Sequence, residues 1–192
     1  GDNYISWTFR KQPKFFDVVT YTGDGSSPRQ ISHNLGSVPG MMIIRTYDND
    51  ENWVVYHRSV DSSSPEDYAL TLNSTAARAD ESGFFNDTAP TSSVFTVGAN
   101  LNSGFGGGMN YVAYLFAHNN SDGGFGENGD QDVIKCGSFT TDSSGSALVG
   151  PDLGFEPQWV LLKNATSTQS GNWWIVDIIR GGAVEDIPVI GS

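Results

Sequence analysis

Apolar and polar positions alternate in short runs along this chain, most clearly over residues 39–60. There the apolar arms MMIIRTY and WVVYH lie on either side of the polar segment DNDEN. Met, Ile, Val, Trp and Tyr favour strands, and a polar cluster between two such arms predicts a β-hairpin. Similar short runs predict further strands at residues 15–21, 30–35, 68–72, 94–97 and 111–118. Residues 75–81 are predicted to form a single helical turn.

A second hairpin of the same kind is predicted over residues 157–180, where a proline, an apolar arm, a polar loop and an Asn-Trp pair recur in the same order. Other landmarks recur with it. NYISWTF at residues 3–9 matches NYVAYLF at 110–116, and DVVTYT at 17–22 matches DVIKCGSFT at 132–140. This order of landmarks indicates an internal repeat of about 110 to 120 residues, which is the size of an independent domain.

The repeat predicts an all-β protein of antiparallel β-sandwich modules in tandem, jelly-roll-like in architecture. Residues 1–10 are interpreted as the last strand of a preceding repeat or an N-terminal arm, and residues 11–118 as one complete repeat. Residues 119–131 form a Gly- and Asp-rich linker, and residues 132–192 the first part of a second copy. We expect the chain to be part of a longer array, with residues 3–9 placed equivalently to residues 110–116 if they pack on a module.

The net charge of −12 disfavours nucleic-acid binding, because phosphate backbones would be repelled and no run of Lys or Arg compensates. No apolar run is long enough for membrane insertion, and no signal-peptide pattern is present at the start. Cys136 is the only cysteine, which excludes an intramolecular disulfide and favours a small buried side chain.

No catalytic constellation is evident in the sequence. His33, His57 and His118 lack the spacing of metal ligands, and no GxSxG motif is present. Three acidic residues at the first hairpin tip, Asp48, Asp50 and Glu51, are candidates for ligand or receptor binding. The second hairpin is neutral at that place, which favours ordinary variation of a solvated loop.

The segment NNSDGGFGENGDQD at residues 119–132 resembles a calcium loop, because a Gly-rich backbone there carries several carboxylates. Asp122, Glu127 and Asp130 are the candidate ligands of a Ca²⁺ ion. The alternative is a flexible acidic linker without a cofactor.

Aromatic side chains are the usual platform for sugar rings, and four of them raise this possibility here. Trp53 and Trp173 recur in both hairpins and are expected to pack between sheets. Strand alternation makes Tyr56 and Trp174 the better candidates for exposure and for contact with a ligand or receptor.

The motifs NYVAYLFAH, DVIKCGSFTTD, DLGFEPQWVLLKN and GNWWIVDIIRG, with their counterparts in the first copy, resemble a β-rich repeat domain of marine bacteriophage virion and tail-fibre proteins. The resemblance implies a structural component of a virion, an extracellular particle, serving as a spacer or host-adhesion element. It implies no enzyme activity. Expected partners are copies of the chain itself, as a homotrimer, other virion proteins, and a host-surface glycan or receptor. The alternatives are a carbohydrate-binding module of a surface protein and a depolymerase-type hydrolase.

Overall fold

An antiparallel six-stranded sheet dominates the computed structural model, which describes residues 6–103, 108–142, 144, 147–149, 152–166, 168 and 170–178. The strands are β1 (Phe16–Thr22), β2 (Arg29–Ser32), β3 (Met41–Thr46), β4 (Val54–His57), β5 (Tyr68–Thr71), β6 (Ala79–Asp80), β7 (Val94–Val97), β8 (Asn110–Phe116), β9 (Thr140–Thr141), β10 (Ala147–Val149), β11 (Trp159–Lys163) and β12 (Trp173–Asp177). The sheet has the strand order β1-β8-β3-β4-β5-β6, and β2 and β7 form a separate two-stranded ribbon.

Helix is limited, in the described residues, to a four-residue turn, α1 (Ser82–Phe85), and 3₁₀ turns at Pro65–Asp67 and Ala99–Leu101. None of these is long and apolar enough to cross a membrane. The predicted all-β class with antiparallel sheets is therefore confirmed. The predicted helical turn at residues 75–81 is wrong, because this stretch contains β6 and the turn follows it.

The main core lies between one face of the six-stranded sheet and the β2–β7 ribbon. Met42, Ile44 and Leu115 point from the sheet into this core, and Phe95 and Val97 meet them from the ribbon. The inward positions within β3 and within β7 are two residues apart, as the period of a strand requires. In the first hairpin Met41 pairs with His57, so the two paired strands lie within the arms that the sequence predicts.

The opposite face of the same sheet is covered by the hairpin β11–β12. Leu161 and Trp173 pack there against a second cluster that includes Met41 and Val55. The indole Nε1 of Trp173 also donates a 2.9 Å hydrogen bond to the Thr71 carbonyl at the end of β5. Both faces of the six-stranded sheet are thus covered in part, and the second hairpin packs against the first.

Replacing Trp173 by phenylalanine should lower the free energy of unfolding by about 1 kcal/mol, because a donor to a partly buried carbonyl is lost while most apolar contact remains. Urea denaturation would measure the change. The matched control is Trp174→Phe on the exposed face of the same strand. Equal effects of the two substitutions would contradict the docking of the hairpin through Trp173.

Local geometry recurs at a spacing of 118 residues. The carboxylate of Asp24 accepts hydrogen bonds from the Ser26 amide at 2.8 Å and its hydroxyl at 2.6 Å, and Asp142 and Ser144 repeat both distances. Gly36 and Gly154 both adopt a left-handed backbone, with φ of +71° and +73°. Two stretches of chain thus take the same local turns.

The two hairpins also share their register. In β11–β12 Trp159 pairs with Asp177, as Met41 pairs with His57 in β3–β4. The paired residues of β11 lie 118 residues after those of β3, and the paired residues of β12 lie 120 residues after those of β4. Ile43 and its counterpart Leu161 both join the cluster between the hairpins. The hairpins therefore pack through equivalent faces, back to back.

The start of the described chain lies close to this cluster. The ring of Phe9 is 5.9 Å from that of Phe116 and 6.4 Å from that of Trp159. Ser6 to Phe9 form no strand in the described residues, whereas β8 lies between β1 and β3. Residues 1–5, which hold the first part of the segment predicted to match β8, lie outside the described residues.

Candidate functional site

A shallow groove of about 490 Å³ lies at the tip of the first hairpin, and we call it the tip groove. Its floor comes from neighbouring strands of the six-stranded sheet and its rim from the β3–β4 loop. The residues that line it are Arg45, Thr46, Tyr47, Asp48, Asn49, Asp50, Trp53, Val112 and Tyr114.

The centre of the tip groove is a stack of three side chains. The guanidinium of Arg45 lies 5.0 Å from the centre of the Trp53 ring, and that ring lies 6.3 Å from Tyr114 in a stacked arrangement. β3 and β8 pair directly, which places Arg45 and Tyr114 on neighbouring strands. The aromatic faces stabilise the cation, and the stack holds all three side chains in place.

Arg45 retains hydrogen-bonding capacity at this position. Its Nε is buried and has no hydrogen-bond partner among the described residues, and its terminal nitrogen lies 3.6 Å from an oxygen of the solvent-exposed Asp50. The Arg45 side chain as a whole is partly exposed, so the accessible part of its guanidinium can donate a hydrogen bond to an acceptor that enters the groove. Tyr47, 60% exposed, adds an accessible aromatic face at the rim.

The three acidic candidates of the hairpin tip have different environments. The carboxylate of Asp48 accepts a 2.6 Å hydrogen bond from the Asn110 amide and a 3.2 Å one from its side chain, and so fixes the tip to the start of β8. Asp50 and Glu51 are exposed. Only Asp48 and Asp50 line the tip groove, and the first has a positioning role there.

Tyr56 is not exposed, contrary to the expectation from strand alternation. It is 3% exposed in the main core, with its ring 5.6 Å from that of Phe85. Strand β4 is covered on both faces, so that Val54, Val55 and Tyr56 are all buried. Tyr56 therefore presents no surface to a ligand.

Trp174 is exposed, as expected, at 64%. It pairs with Leu162 in the second hairpin, as Val54 pairs with Ile44 in the first. Trp174 thus occupies the place that the buried Val54 has in the first hairpin. Its exposure reflects an apolar face left uncovered in the described part of the chain.

The predicted calcium ligands do not converge. No group of three or more His, Cys, Asp or Glu side chains in the described residues is placed to hold a metal ion. Asp122 instead accepts a hydrogen bond from the Asn120 amide, and its carbonyl accepts one from Lys14. Glu127 and Asp130 are exposed in the same loop.

The carboxylate that organises this loop is Asp132, which accepts hydrogen bonds from the amides of Ser121 and Gly123. The Ser121 bond, the largest favourable cause, lowers the pKa of Asp132 together with the Gly123 bond and the nearby Lys135, against a partial loss of solvation. Asn119, almost fully buried, joins the loop to the Lys14 carbonyl and to the amides of Val133 and Ile134. These hydrogen bonds close the loop at its base, and the interpretation of residues 119–131 as an acidic linker stays a prediction.

Cys136 is a small buried side chain, as predicted. Its thiol lies 3.5 Å from the Ala117 carbonyl, and burial raises its pKa to about 12. A thiol that remains protonated near neutral pH is a poor nucleophile.

The second hairpin contains a counterpart of the Arg45–Trp53 pair, and both side chains of that counterpart donate hydrogen bonds to neighbouring backbone carbonyls. Lys163, equivalent to Arg45, lies 5.9 Å from the ring of Trp173, equivalent to Trp53. Its ammonium donates to the Thr75 carbonyl, while Trp173 donates to Thr71. The cation–aromatic pair therefore belongs to the framework of both hairpins, and the pair in the first hairpin is the one that lines a groove.

Sequence reasoning missed Arg45, Tyr47 and Tyr114 as site residues and assigned Trp53 to packing alone. The available signal was the recurrence of a basic residue and a tryptophan at matching places, Arg45 with Trp53 and Lys163 with Trp173.

A family described as "Domain of unknown function (DUF7483)" matches residues 1–187. No curated protein and no solved structure matches the chain. The family match extends over both hairpins and over the segment that precedes β1. On this match, which takes in almost the whole sequence, the chain belongs to the DUF7483 family.

Proposed function

We propose that this chain is a structural component of a bacteriophage virion, a tail- or capsid-fibre module that acts as a spacer and host-adhesion element without catalytic activity. The resemblance of its motifs to marine phage virion proteins supports this role. The proposed architecture is a tandem of jelly-roll-like β-sandwich modules, of which residues 11–118 form one.

The recurrence of the hairpin framework carries the proposal. The strand register and the cation–tryptophan pair are the same in both hairpins, and a left-handed glycine precedes each of them, while the tips differ in length and charge. Repeated frameworks that pack on one another build length and stiffness, and variable loops on a rigid scaffold are the usual carriers of recognition.

Self-association as a homotrimer is the proposed assembly. Strand β1, seven residues long, forms one edge of the six-stranded sheet. A long exposed edge is a liability that proteins commonly cover, and parallel copies in a symmetric fibre would cover it. Sedimentation equilibrium of the full chain tests this assembly, for which a single species of monomer mass is the contrary result.

Immunogold electron microscopy of virions tests the role itself. Antibodies raised against the full chain should label fibres on particles produced from the genome that encodes it. Label confined to non-particle fractions, with none on intact virions, would overturn the assignment.

A carbohydrate-binding module is the second candidate, and the tip groove favours it. The groove combines aromatic faces, from the stacked Trp53 and Tyr114 and the exposed ring of Tyr47, with the partly exposed guanidinium of Arg45 as a hydrogen-bond donor. Sugar rings bind in this way, by stacking on aromatic faces while their hydroxyls pair with polar groups.

A glycan array followed by calorimetry tests the tip groove. Trp53→Ala should weaken any glycan binding at least tenfold, because both the stacking face and the support of Arg45 are lost. Trp174→Ala, which removes an exposed tryptophan outside the groove, is the matched control. Binding that depends on Trp174 and survives Trp53→Ala would exclude the groove as the site.

A further inference from the structure

The tip of the loop at residues 119–132 holds the one Asn-Gly pair of the sequence, Asn128-Gly129. Backbone hydrogen bonds of 3.0 and 2.9 Å between Phe125 and Gln131 close the turn that carries this pair. Within the turn, residue 126 and residues 127–130 are exposed. The Asn-Gly pair is therefore open to solvent at the end of a turn whose base is fixed.

The side chain of Asn128 makes no hydrogen bond within the part of the chain that the structure describes. Asparagine precedes another small residue, Ser or Ala, at further places, and there hydrogen bonds hold the side-chain amide. The oxygen of Asn73, for example, accepts a 3.0 Å bond from the Trp53 amide, and its nitrogen donates to Asn52. The remaining places are Asn102, which is fully buried, Asn120 and Asn164. Among these side chains, that of Asn128 is the one free to turn toward the following residue.

The backbone nitrogen of Gly129 is accessible to that side chain. Gly129 has a left-handed backbone, with φ of +68°, and the position that a Cβ would take has no packed atom within 4 Å. Its amide donates a 3.2 Å hydrogen bond to the Gly126 carbonyl, which is at the long end of the range for such bonds. Neither a side chain of its own nor close packing therefore limits the approach to this nitrogen.

The Asp-Gly pairs of the chain provide the contrast, because aspartate can react with a following glycine in the same way. In Asp24-Gly25 the carboxylate accepts hydrogen bonds of 2.8 and 2.6 Å from Ser26, and the glycine amide donates to the Asn102 carbonyl. In Asp122-Gly123 the glycine is buried, and its amide donates to the Asp132 carboxylate at 2.9 Å. The reacting groups of both pairs are thus held by neighbours, unlike those of Asn128-Gly129.

We propose that Asn128-Gly129 is a site of spontaneous covalent modification, at which the Gly129 nitrogen attacks the side chain of Asn128 and the asparagine becomes isoaspartate. The reaction needs no enzyme, because the two groups are neighbours in the chain and intramolecular attack replaces a bimolecular encounter. Asparagine is one of the thermolabile residues of proteins. The inference is independent of the virion role proposed above.

Atoms and charges balance in two steps, with water as the only co-reactant. In the first step the Gly129 nitrogen gives its proton to solvent base and bonds to Cγ of Asn128, while the bond from Cγ to the side-chain nitrogen breaks and ammonia leaves. The product is a five-membered succinimide ring. In the second step water opens the ring at either carbonyl. Opening at Cγ gives aspartate, and opening at the backbone carbonyl gives isoaspartate, in which the main chain runs through Cγ.

Isoaspartate should loosen the turn that contains it. The main chain gains one methylene between residues 128 and 129, and a new carboxylate lies beside the exposed Glu127 and Asp130. The extra backbone length and the repulsion between like charges both oppose the pairing of Phe125 with Gln131.

Incubation of the folded full chain at mildly alkaline pH tests the site. Peptide mapping by mass spectrometry, with isoaspartate labelled by an isoaspartyl methyltransferase, should show conversion of Asn128 at least tenfold faster than conversion of Asn73. Asn128→Gln is the matched control, because its longer side chain keeps the amide but cannot form the five-membered ring. The corresponding peptide of that variant should gain no isoaspartate.

Two results would overturn the proposal. The first is an Asn128 that stays intact in the folded chain while it converts in urea, which would show that the fold protects the pair. The second is conversion to aspartate alone, which would exclude the succinimide route.

Hydrogen exchange measures the effect of the modification on the turn. In the converted chain the amides of Phe125 and Gln131 should exchange at least tenfold faster than in the fresh chain. Asn128→Asp is the control, because it adds the same charge without the extra methylene, and its exchange should lie closer to that of the fresh chain. Equal exchange in the converted and the fresh chain would contradict the loosening of the turn.

Discussion

Phe95→Ala should lower the free energy of unfolding by about 3–5 kcal/mol. This is a large fraction of the total free energy of unfolding of a typical domain, which is about 5–15 kcal/mol. Phe95 is fully buried in β7, at the centre of the layer that covers the six-stranded sheet. Its ring lies 6.4 Å from that of Tyr21 and 6.3 Å from that of His33. Truncation leaves a cavity between two layers that are each fixed by backbone pairing.

Urea denaturation followed by tryptophan fluorescence measures this loss. Phe139→Ala removes the same atoms from an exposed position and should cost less than about 1 kcal/mol. A Phe95→Ala loss as small as that of the control would show that the ribbon does not pack on the sheet as described.

Acidification should destabilise the protein between pH 6.5 and about 4, chiefly through His57. Burial lowers the pKa of His57 from 6.5 to about 4, with smaller contributions from the positive charges of Arg58 and His118. Its Nδ1 accepts a 3.1 Å hydrogen bond from the Ser59 amide, which requires the neutral ring.

The sign follows from proton uptake. Below pH 6.5 the unfolded chain binds a proton that the folded chain does not bind until the pH approaches 4, so stability falls as pH falls. The loss from His57 reaches about 3 kcal/mol at the acid end of this window, at about 1.4 kcal/mol per pKa unit. Burial also lowers the pKa values of His33 and His118, which adds losses of the same sign.

Free energies of unfolding measured from pH 7.5 to 4.5 test this dependence. In His57→Asn the amide oxygen keeps an acceptor for the Ser59 amide but does not titrate, so the decline should be shallower than in the wild type. Asp17 and Asp61, whose pKa values lie below the usual 3.8, add their losses mainly below this window, and Asp67, whose pKa is raised chiefly by burial, acts with the opposite sign. Stability that stays flat from pH 7 to 4.5 would contradict the burial of His57.

The hairpin arms were predictable because period-two alternation and a polar tip act locally. The face that each residue takes was harder to predict, and Tyr56 shows why. Alternation separates Tyr56 from Val55, but both faces of β4 are covered, one by the β2–β7 layer and the other by the second hairpin. The second cover comes from more than 100 residues further along the chain, where local pattern carries no information.

The loop at residues 119–132 shows a similar limit for candidate sites. Its composition identifies an acidic glycine-rich loop, but which carboxylate turns inward depends on the backbone amides that reach it. Asp132 is the one that accepts two of them, and Asp122, Glu127 and Asp130 stay apart. The tip groove escaped prediction for a related reason, since it forms only where β8 brings Tyr114 beside Trp53.

The difference in length between the hairpin tips has a practical consequence for protein engineering. Seven residues join β3 to β4 and nine join β11 to β12, yet strand register and the cation–tryptophan pair are the same on both sides. The two additional residues of the second hairpin are thus accommodated within its tip and do not change the strand pairing of its arms. The hairpin tip is therefore the place to graft a foreign peptide epitope for display, because the same hairpin framework accommodates two tip lengths without a change in strand register.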